Sequence, residues 1–274
     1  MVDLRSLAKF TQFAVTEPVA GVVHVEINRP RALNSFSTTT WTQYGDLLAA
    51  LDAAEPPVRA IVLSGAGPHF TAGLNLKEAV GEFEALPSRA AQRAAQLYAS
   101  TRAFQAAIST AARIRPPVIA VAHGVCYGLA IDIMVACAVR IAAADARLSI
   151  KEIQVGFAAD IGTLQRIGRL TGNQSAVAEL ALTGRDFGAT EAADLGLVSA
   201  VHDTKEAAVT AALELATAIA KASPPAIYGT KRALVEMTEE AVPVDTGLDR
   251  IAKYNSRAID ASVVDGLRKR ASRL

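Results

Sequence analysis

Apolar and polar positions along the first part of the chain predict strands and helices in turn. Residues 21–30, GVVHVEINRP, alternate with a period of two and stop at a proline, which is typical of a half-buried strand before a turn. Residues 37–55 have apolar side chains at helical spacing behind a Ser/Thr start. Two short apolar runs, at 59–67 and 117–128, predict buried strands, and a helical region over about 88–114 separates them. This alternation predicts an α/β domain with a covered sheet.

From about residue 203 onward the pattern becomes helical. Apolar residues recur at helical spacing over 206–220 and 225–238, and a third helical pattern covers about 245–259. We therefore predict two parts in the chain, a core over residues 1–202 and a C-terminal helical segment over residues 203–274.

Composition narrows the classes of function. The chain has 274 residues of which 51% are hydrophobic, so it can fill a sizeable core. Its 28 basic and 27 acidic residues leave a net charge of +1, which argues against binding to nucleic acid or an anionic membrane. Cys126 and Cys137 both lie in apolar sequence, as packed, reduced thiols do, and no metal-ligand spacing occurs. No segment has the signature of a signal peptide or a membrane span. We expect the ligand to be a small molecule or another protein.

Two glycine-containing loops precede predicted helices. Residues 69–76, HFTAGLNL, contain the turn Ala72-Gly73, and residues 123–133, HGVCYGLAIDI, contain a glycine before a helix that carries Asp132. Such turns aim free backbone N–H groups outward, which can hold an anion, although they are common in α/β proteins. An aspartate in an apolar helix turn is costly unless it is hydrogen-bonded or catalytic. Asp132 is thus either a helix cap or part of a site.

Two carboxylates bracket the apolar stretch KEIQVGFAAD at residues 151–160. If this segment bends around a loop, Glu152 and Asp160 face one cavity. Apolar surroundings raise carboxyl pKa values, which suits groups that accept and return protons near neutral pH. The alternative is structural: Glu152 pairs with Lys151 or Arg166, and Asp160 caps the following helix.

Five segments taken together resemble the enoyl-CoA hydratase/isomerase, or crotonase, superfamily in their order and spacing. The resemblance extends over about residues 13–235 and rests on NRPRALNSFS, FTAGLNL, the long run from HGVCYGLAIDI to IGTLQRI, LTGRDFGATEAADLGLVSAV and SPPAIYGTK. It implies an α/β crotonase-like ββα spiral. It also implies that the C-terminal helical segment packs over an active site and joins subunits into a homotrimer or a homohexamer.

Three acidic positions resemble the dienoyl-CoA isomerase branch of that superfamily. They are Asp132, Glu152 and Asp160, and the hydratases carry glutamates at the first two positions. A hydratase adds one water across a single double bond, whereas a dienoyl isomerase moves a proton between carbons several bonds apart. The resemblance therefore implies that Glu152 and Asp160 are the acid/base pair and that Asp132 tunes or orients them. Two alternatives are an enoyl-CoA hydratase in which Asp160 is structural, and a catalytically weak acyl-CoA-binding protein.

The resemblance also implies how an acyl-CoA is held. The thioester oxygen meets the backbone N–H groups of Leu74 and Leu129. Leu129 replaces the glycine that is usual in the family, and Asn75 replaces a frequent aspartate. The implied contacts to coenzyme A come from Ala32, Leu33, Ala72, Gly73 and Lys77. The acyl-CoA is the substrate, and the resemblance implies no cofactor.

The chain ends in Ser272-Arg273-Leu274, which resembles a C-terminal peroxisomal signal of the Ser-Lys-Leu type. For a eukaryotic source we expect a peroxisomal protein, and for a bacterial source a cytoplasmic one.

Overall fold

The computed structural model describes residues 1–258, which form two sheets surrounded by helices. The strands are β1 Phe13–Val19, β2 Val22–Ile27, β3 Ala60–Gly65, β4 Val118–Ala122, β5 Val125–Tyr127, β6 Val139–Ala143, β7 Arg147–Ser149, β8 Phe187–Gly188 and β9 Ala200–His202. The helices are α1 Leu4–Leu7, α2 Thr38–Asp52, α3 Leu76–Glu84, α4 Ala90–Ile108, α5 Thr110–Arg113, α6 Leu129–Ala136, α7 Glu152–Val155, α8 Thr163–Leu170, α9 Gln174–Thr183, α10 Ala189–Asp194, α11 Lys205–Ala220, α12 Pro224–Val235 and α13 Val244–Ala258. A 3₁₀ turn covers Pro30–Ala32, and a π-helical turn covers Glu236–Glu240.

The larger sheet has six strands in the order β1-β2-β3-β4-β6-β9. The pair β1 and β2 is antiparallel, and the remaining pairs are parallel. Every residue of β3 and β4 is buried, as expected of central parallel strands that are covered on both faces and therefore consist of apolar runs. The smaller sheet has the order β5-β7-β8.

The predicted strand over 117–128 is two strands in two sheets. The chain turns between β4 and β5 at Gly124, where φ is +52°, and a Cβ atom there would lie 2.0 Å from the carbonyl oxygen of Pro68. Only glycine fits this conformation and this approach. The apolar run continues through the turn because both halves are buried, which is why the pattern gave no sign of the break.

The main hydrophobic core lies on one face of the larger sheet, and α11 covers the opposite face. Four alanines at helical spacing, Ala208, Ala212, Ala216 and Ala220, pack there against Val62, Ile119 and other sheet residues. The apolar face of 206–220, which we expected to join subunits, therefore packs against the chain's own sheet. Small side chains allow α11 to lie close to the strands.

The last described helices are tied to the body of the protein by a buried lysine. The Nζ atom of Lys231 in α12 donates hydrogen bonds to the carbonyl oxygens of Ala111, Ile114 and Pro116 at 2.6–3.0 Å. The division at residue 202 stays a prediction. Residues 259–274, with Ser272-Arg273-Leu274, lie outside the described residues. None of the helices in residues 1–258 is long and apolar enough to cross a membrane.

Candidate active site

A cavity of about 690 Å³ lies where the two glycine loops and the 151–160 segment meet. Its lining residues all fall between positions 36 and 161, and they include Asp132, Glu152, Asp160, Leu74, Leu129 and the predicted contacts Ala72 and Gly73. Apolar walls surround this polar end and are built by Trp41, Ala79, Phe83, Leu97, Phe104, Val155 and Phe157. In the described part of the chain, the helices after residue 202 contribute no side chain to the cavity.

The backbone of Leu74 is turned toward the cavity by a single bridge to Phe36. The N–H of Phe36 donates to the carbonyl of Gly73, and the N–H of Asn75 donates to the carbonyl of Phe36, both at 2.8 Å. Because neighbouring peptides of an extended chain point to opposite sides, the N–H of Leu74 faces away from Phe36. It donates to no other group within residues 1–258, so it is free to bind a ligand oxygen.

The second backbone donor is at the start of α6. Gly128 has a φ of +53°, and the helix begins at Leu129, whose N–H also donates to no group within the described residues. The two loops touch: a Cβ atom on Gly73 would lie 2.7 Å from the carbonyl oxygen of Tyr127 and 3.6 Å from the nitrogen of Leu129. Gly73, with a φ of +92°, thus allows two free N–H groups to converge at one end of the cavity. This arrangement suits an oxyanion, and the N-terminus of α6 adds favourable charge.

Glu152 lies beside these donors. Only 9% of its surface is exposed, its Oε2 atom is buried without a hydrogen-bond partner, and its Oε1 atom lies 3.2 Å from where a Cβ on Gly128 would be. Burial, reinforced by the carboxylates of Asp132 and Asp160, raises the pKa of Glu152 to about 7. A carboxyl with this pKa can both give and take a proton near neutral pH.

The structural alternative for Glu152 is wrong in this structure. Lys151 pairs with Asp186 at 2.6 Å, and Arg166 pairs with Glu239, also at 2.6 Å. Neither cation pairs with the carboxylate of Glu152, which is left to the cavity.

Asp132 combines the two roles that the sequence left open. The residue is almost fully buried, and its Oδ1 atom accepts hydrogen bonds from the backbone N–H and the hydroxyl of Thr163, each at 2.7 Å. It therefore caps α8, a different helix from its own, and it also lines the cavity. Burial outweighs these hydrogen bonds and raises the pKa of Asp132 to about 6. Thr163 was not among the predicted site residues, because nothing in the local sequence links it to Asp132.

Asp160 lies in a loop between two glycines with positive φ, Gly156 and Gly162. The residue lines the cavity, and partial burial raises the pKa of its carboxyl. The expected cap by Asp160 is not formed, since the residue before α8 is Gly162 and the N–H of Thr163 at the start of α8 donates to Asp132 instead. The backbone carbonyl of Asp160 instead accepts a hydrogen bond from Nε2 of Gln105 in α4 at 2.5 Å.

The residues predicted to bind coenzyme A fall into two groups. Ala32 ends the 3₁₀ turn, and the carbonyl of the next residue, Leu33, accepts a hydrogen bond at 2.9 Å from the N–H of Ala72, so both loops form one rim. Leu33 is 47% exposed there. Ala72 and Gly73 line the cavity, whereas Lys77 is exposed on α3 and does not.

The two departures from the family's usual residues have local explanations. The side chain of Asn75 caps α3 by accepting a hydrogen bond from the N–H of Glu78, and its Nδ2 atom donates to the carboxylate of Glu78 at 2.5 Å. The side chain of Leu129 is buried in the main core, with 4% exposed. Neither side chain displaces a backbone donor.

Comparison with known proteins places the chain in a family. The sequence pattern described as enoyl-CoA hydratase/isomerase matches residues 17–260. The chain belongs to the enoyl-CoA hydratase/isomerase family. The resemblance found in the five sequence segments is thereby confirmed.

Similar members of the enoyl-CoA hydratase/isomerase family carry specific names. The Delta(3,5)-Delta(2,4)-dienoyl-CoA isomerase, peroxisomal, of Arabidopsis thaliana is 39% identical over 239 residues, 86% of this chain and 84% of the relative. The mitochondrial isomerase of the same name from Homo sapiens is 36% identical over 247 residues, 90% of this chain and 74% of the relative. The crystal structure of enoyl-CoA hydratase from Bacillus anthracis has a TM-score of 0.83 at 28% identity and covers 96% of both chains. These similarities confirm the predicted crotonase-like fold and the prediction that the protein is an enzyme.

Proposed function

We propose that this protein converts 3,5-dienoyl-CoA to 2,4-dienoyl-CoA in fatty acid β-oxidation. The observation that carries the proposal is the third carboxylate: Asp160 lines the same cavity as Glu152 and Asp132, beside the free N–H groups of Leu74 and Leu129. A hydratase needs carboxylates at one water, whereas moving a proton along a conjugated chain needs two separated stations. The names of the similar isomerases from Arabidopsis thaliana and Homo sapiens agree with this reaction.

The proposed reaction begins next to the thioester. Glu152, which lies against Gly128, takes a proton from C2, and the electron pair left behind moves into a trienolate whose oxygen accepts hydrogen bonds from the N–H groups of Leu74 and Leu129. Each such donor contributes about 3–4 kcal/mol in comparable sites. Asp160 then gives a proton to C6. The double bonds move from C3 and C5 to C2 and C4, and the electron pair of the new C6–H bond comes from the trienolate.

Asp132 tunes this pair without bonding to it. Its charge raises the pKa of Glu152, and its own carboxylate is held by Thr163. Closely placed carboxylates titrate as a set, so one of the three stays protonated at neutral pH. The reaction moves a proton and consumes no oxidant, which fits the expectation that the acyl-CoA is the substrate and that no cofactor takes part.

The proposal is tested with purified protein and a 3,5-dienoyl-CoA, by following the ultraviolet absorbance of the conjugated 2,4-dienoyl thioester. A 2-enoyl-CoA hydration assay runs beside it. Asp160→Asn should abolish isomerisation, because the distal proton donor is lost. Hydration of the enoyl substrate together with no isomerisation would instead identify a hydratase in which Asp160 is structural. Binding of acyl-CoA with neither reaction would identify a weakened, acyl-CoA-binding protein.

Assembly and location follow from the same resemblance. We expect a homotrimer or a homohexamer, which sedimentation of the purified protein would measure. For a eukaryotic source we expect peroxisomal import through Ser272-Arg273-Leu274, and deletion of these three residues from a fluorescent fusion should abolish it. The relatives named above include one peroxisomal and one mitochondrial protein.

A further inference from the structure

The loop that carries Asp160 has few attachments of its own. The loop lies between Gly156 and Gly162, whose φ angles are +104° and +145°. Gly156 is also the left-handed C-cap that ends α7. In the described part of the chain, the hydrogen bond from Gln105 is the only one that joins residues 158–161 to another segment. Ala159 and Ile161, on either side of Asp160, add apolar contacts to the core. The place of the Asp160 carboxylate therefore depends on few contacts, and Gln105 provides the polar one.

The orientation of the Gln105 amide is itself determined. Nη1 of Arg102, one turn earlier in α4, donates to Oε1 of Gln105 at 2.6 Å, which leaves Nε2 to donate to the carbonyl of Asp160 at 2.5 Å. A side-chain amide has two distinct ends, and an arginine can only donate. Arg102 thus selects the amide orientation in which Gln105 can bind the loop.

The same helix also builds the cavity wall next to Asp160. Phe104 lies beside Gln105 and stacks on Trp41, with ring centroids 5.0 Å apart, and both rings line the cavity. The helix that anchors the backbone of Asp160 is therefore the helix that bounds the space where the acyl chain would lie. The carboxylate of Glu152 lies beside Gly128 at the start of α6, and its buried Oε2 atom has no hydrogen-bond partner from α4 or from any other part of the described chain.

We infer that Gln105 is a positioning residue for Asp160. Gln105 holds Asp160, the proton donor to C6, next to α4, and it does not affect the position of Glu152, the base that acts at C2. This inference rests on the proposed dienoyl-CoA isomerase function. It predicts that loss of the Gln105 donor impairs delivery of the proton to C6 but not removal of the proton from C2. A misplacement of about 1 Å in a reacting group can cost about 100-fold in rate.

The test uses Gln105→Glu, which keeps the size and the acceptor for Arg102 but replaces the donor toward Asp160 with an oxygen. The full-length variant is given 3,5-dienoyl-CoA in deuterated water. Isomerisation is followed by absorbance, and deuterium at C2 of the recovered substrate is followed by mass spectrometry. We expect isomerisation to fall about 10- to 100-fold, while exchange at C2 stays within about threefold of the unmodified protein. Arg102→Met should lower isomerisation in the same sense by a smaller factor.

The matched control is Gln96→Glu, the same substitution at an exposed position of α4. It should leave both rates unchanged. Equal losses of isomerisation and exchange in Gln105→Glu would mean a general structural defect and would overturn the inference, as would an isomerisation rate within twofold of the unmodified protein. Absence of isomerisation in the unmodified protein would instead refute the proposed function, so the two failures are distinct.

Discussion

Replacing Glu152 with glutamine should raise the free energy of unfolding relative to the unmodified protein as the pH increases above about 4.5. Burial and two neighbouring carboxylates raise the pKa of Glu152 from 4.5 to about 7 in the folded protein. At about 1.4 kcal/mol per pKa unit, this difference corresponds to about 3 kcal/mol. Below pH 4.5 both folded and unfolded states hold the proton, so Glu152 has no effect on the pH dependence. Between pH 4.5 and 7 the unfolded state ionises first, and the free energy of unfolding falls by this amount.

Glutamine in this position cannot ionise, so the loss disappears. The free energy of unfolding of Glu152→Gln, minus that of the unmodified protein, should rise by about 3 kcal/mol between pH 4.5 and pH 8. Chemical denaturation at several pH values and at one protein concentration measures this difference, because pH effects common to both proteins cancel. The same variant should lose isomerisation, since it lacks the proximal base.

A control at an exposed position separates this effect from a general effect of removing charge. Glu214 in α11 is exposed and forms no ion pair within residues 1–258. The stability difference of Glu214→Gln measures that general effect at each pH and is subtracted from the difference of Glu152→Gln. The pKa effect at Glu152 would be refuted if the remaining difference did not vary with pH, or if Glu152→Gln lost stability relative to the unmodified protein as the pH rose.

Two further substitutions test the framework of the site. Gly73→Ala places a methyl group 2.7 Å from the carbonyl oxygen of Tyr127 at a positive φ, so it should displace the Leu74 donor and lower kcat/KM for isomerisation at least about 100-fold. The control is Gly81→Ala, whose new Cβ atom would have no neighbour from another part of the protein within 4 Å, and it should retain full activity. Lys231→Met leaves three buried carbonyls without their donor and should lower the free energy of unfolding by about 2 kcal/mol or more, as chemical denaturation measures. An unchanged denaturation midpoint would contradict that expectation.

The sequence predicted the elements whose pattern is local. The strand over 21–30 corresponds to β2, and the helix over 37–55 corresponds to α2, which begins at Thr38 behind a Ser37 side-chain cap. The period of apolar residues is a property of a short segment, so it can be recognised from one sequence without knowledge of the fold. The break at Gly124 was missed because the residues on both sides are buried.

The part of the candidate site that could be predicted consists of residues whose type and order along the chain match the family. The three carboxylates and the two donor positions followed from the resemblance, and they line one cavity. Thr163 and Gln105 were not predicted, because each bonds to a carboxylate-bearing segment through a contact made only in the folded chain. Hydroxyl and amide side chains are common on helices, and nothing in the surrounding sequence distinguishes these two.

The loop with Gly73, which touches Tyr127 in the candidate site, is joined to β5 by a single parallel bridge between Thr71 and Cys126. In this bridge the N–H of Tyr127 donates to the carbonyl of Thr71 at 3.1 Å. The two backbone donors thus come from segments that are distant in the chain and meet only when both sheets are assembled. No fragment that ends before β5 can contain the paired donors. Catalysis by this protein therefore requires that both sheets of the chain are folded against each other. The enzymatic rate and the native tertiary structure should be lost together during unfolding.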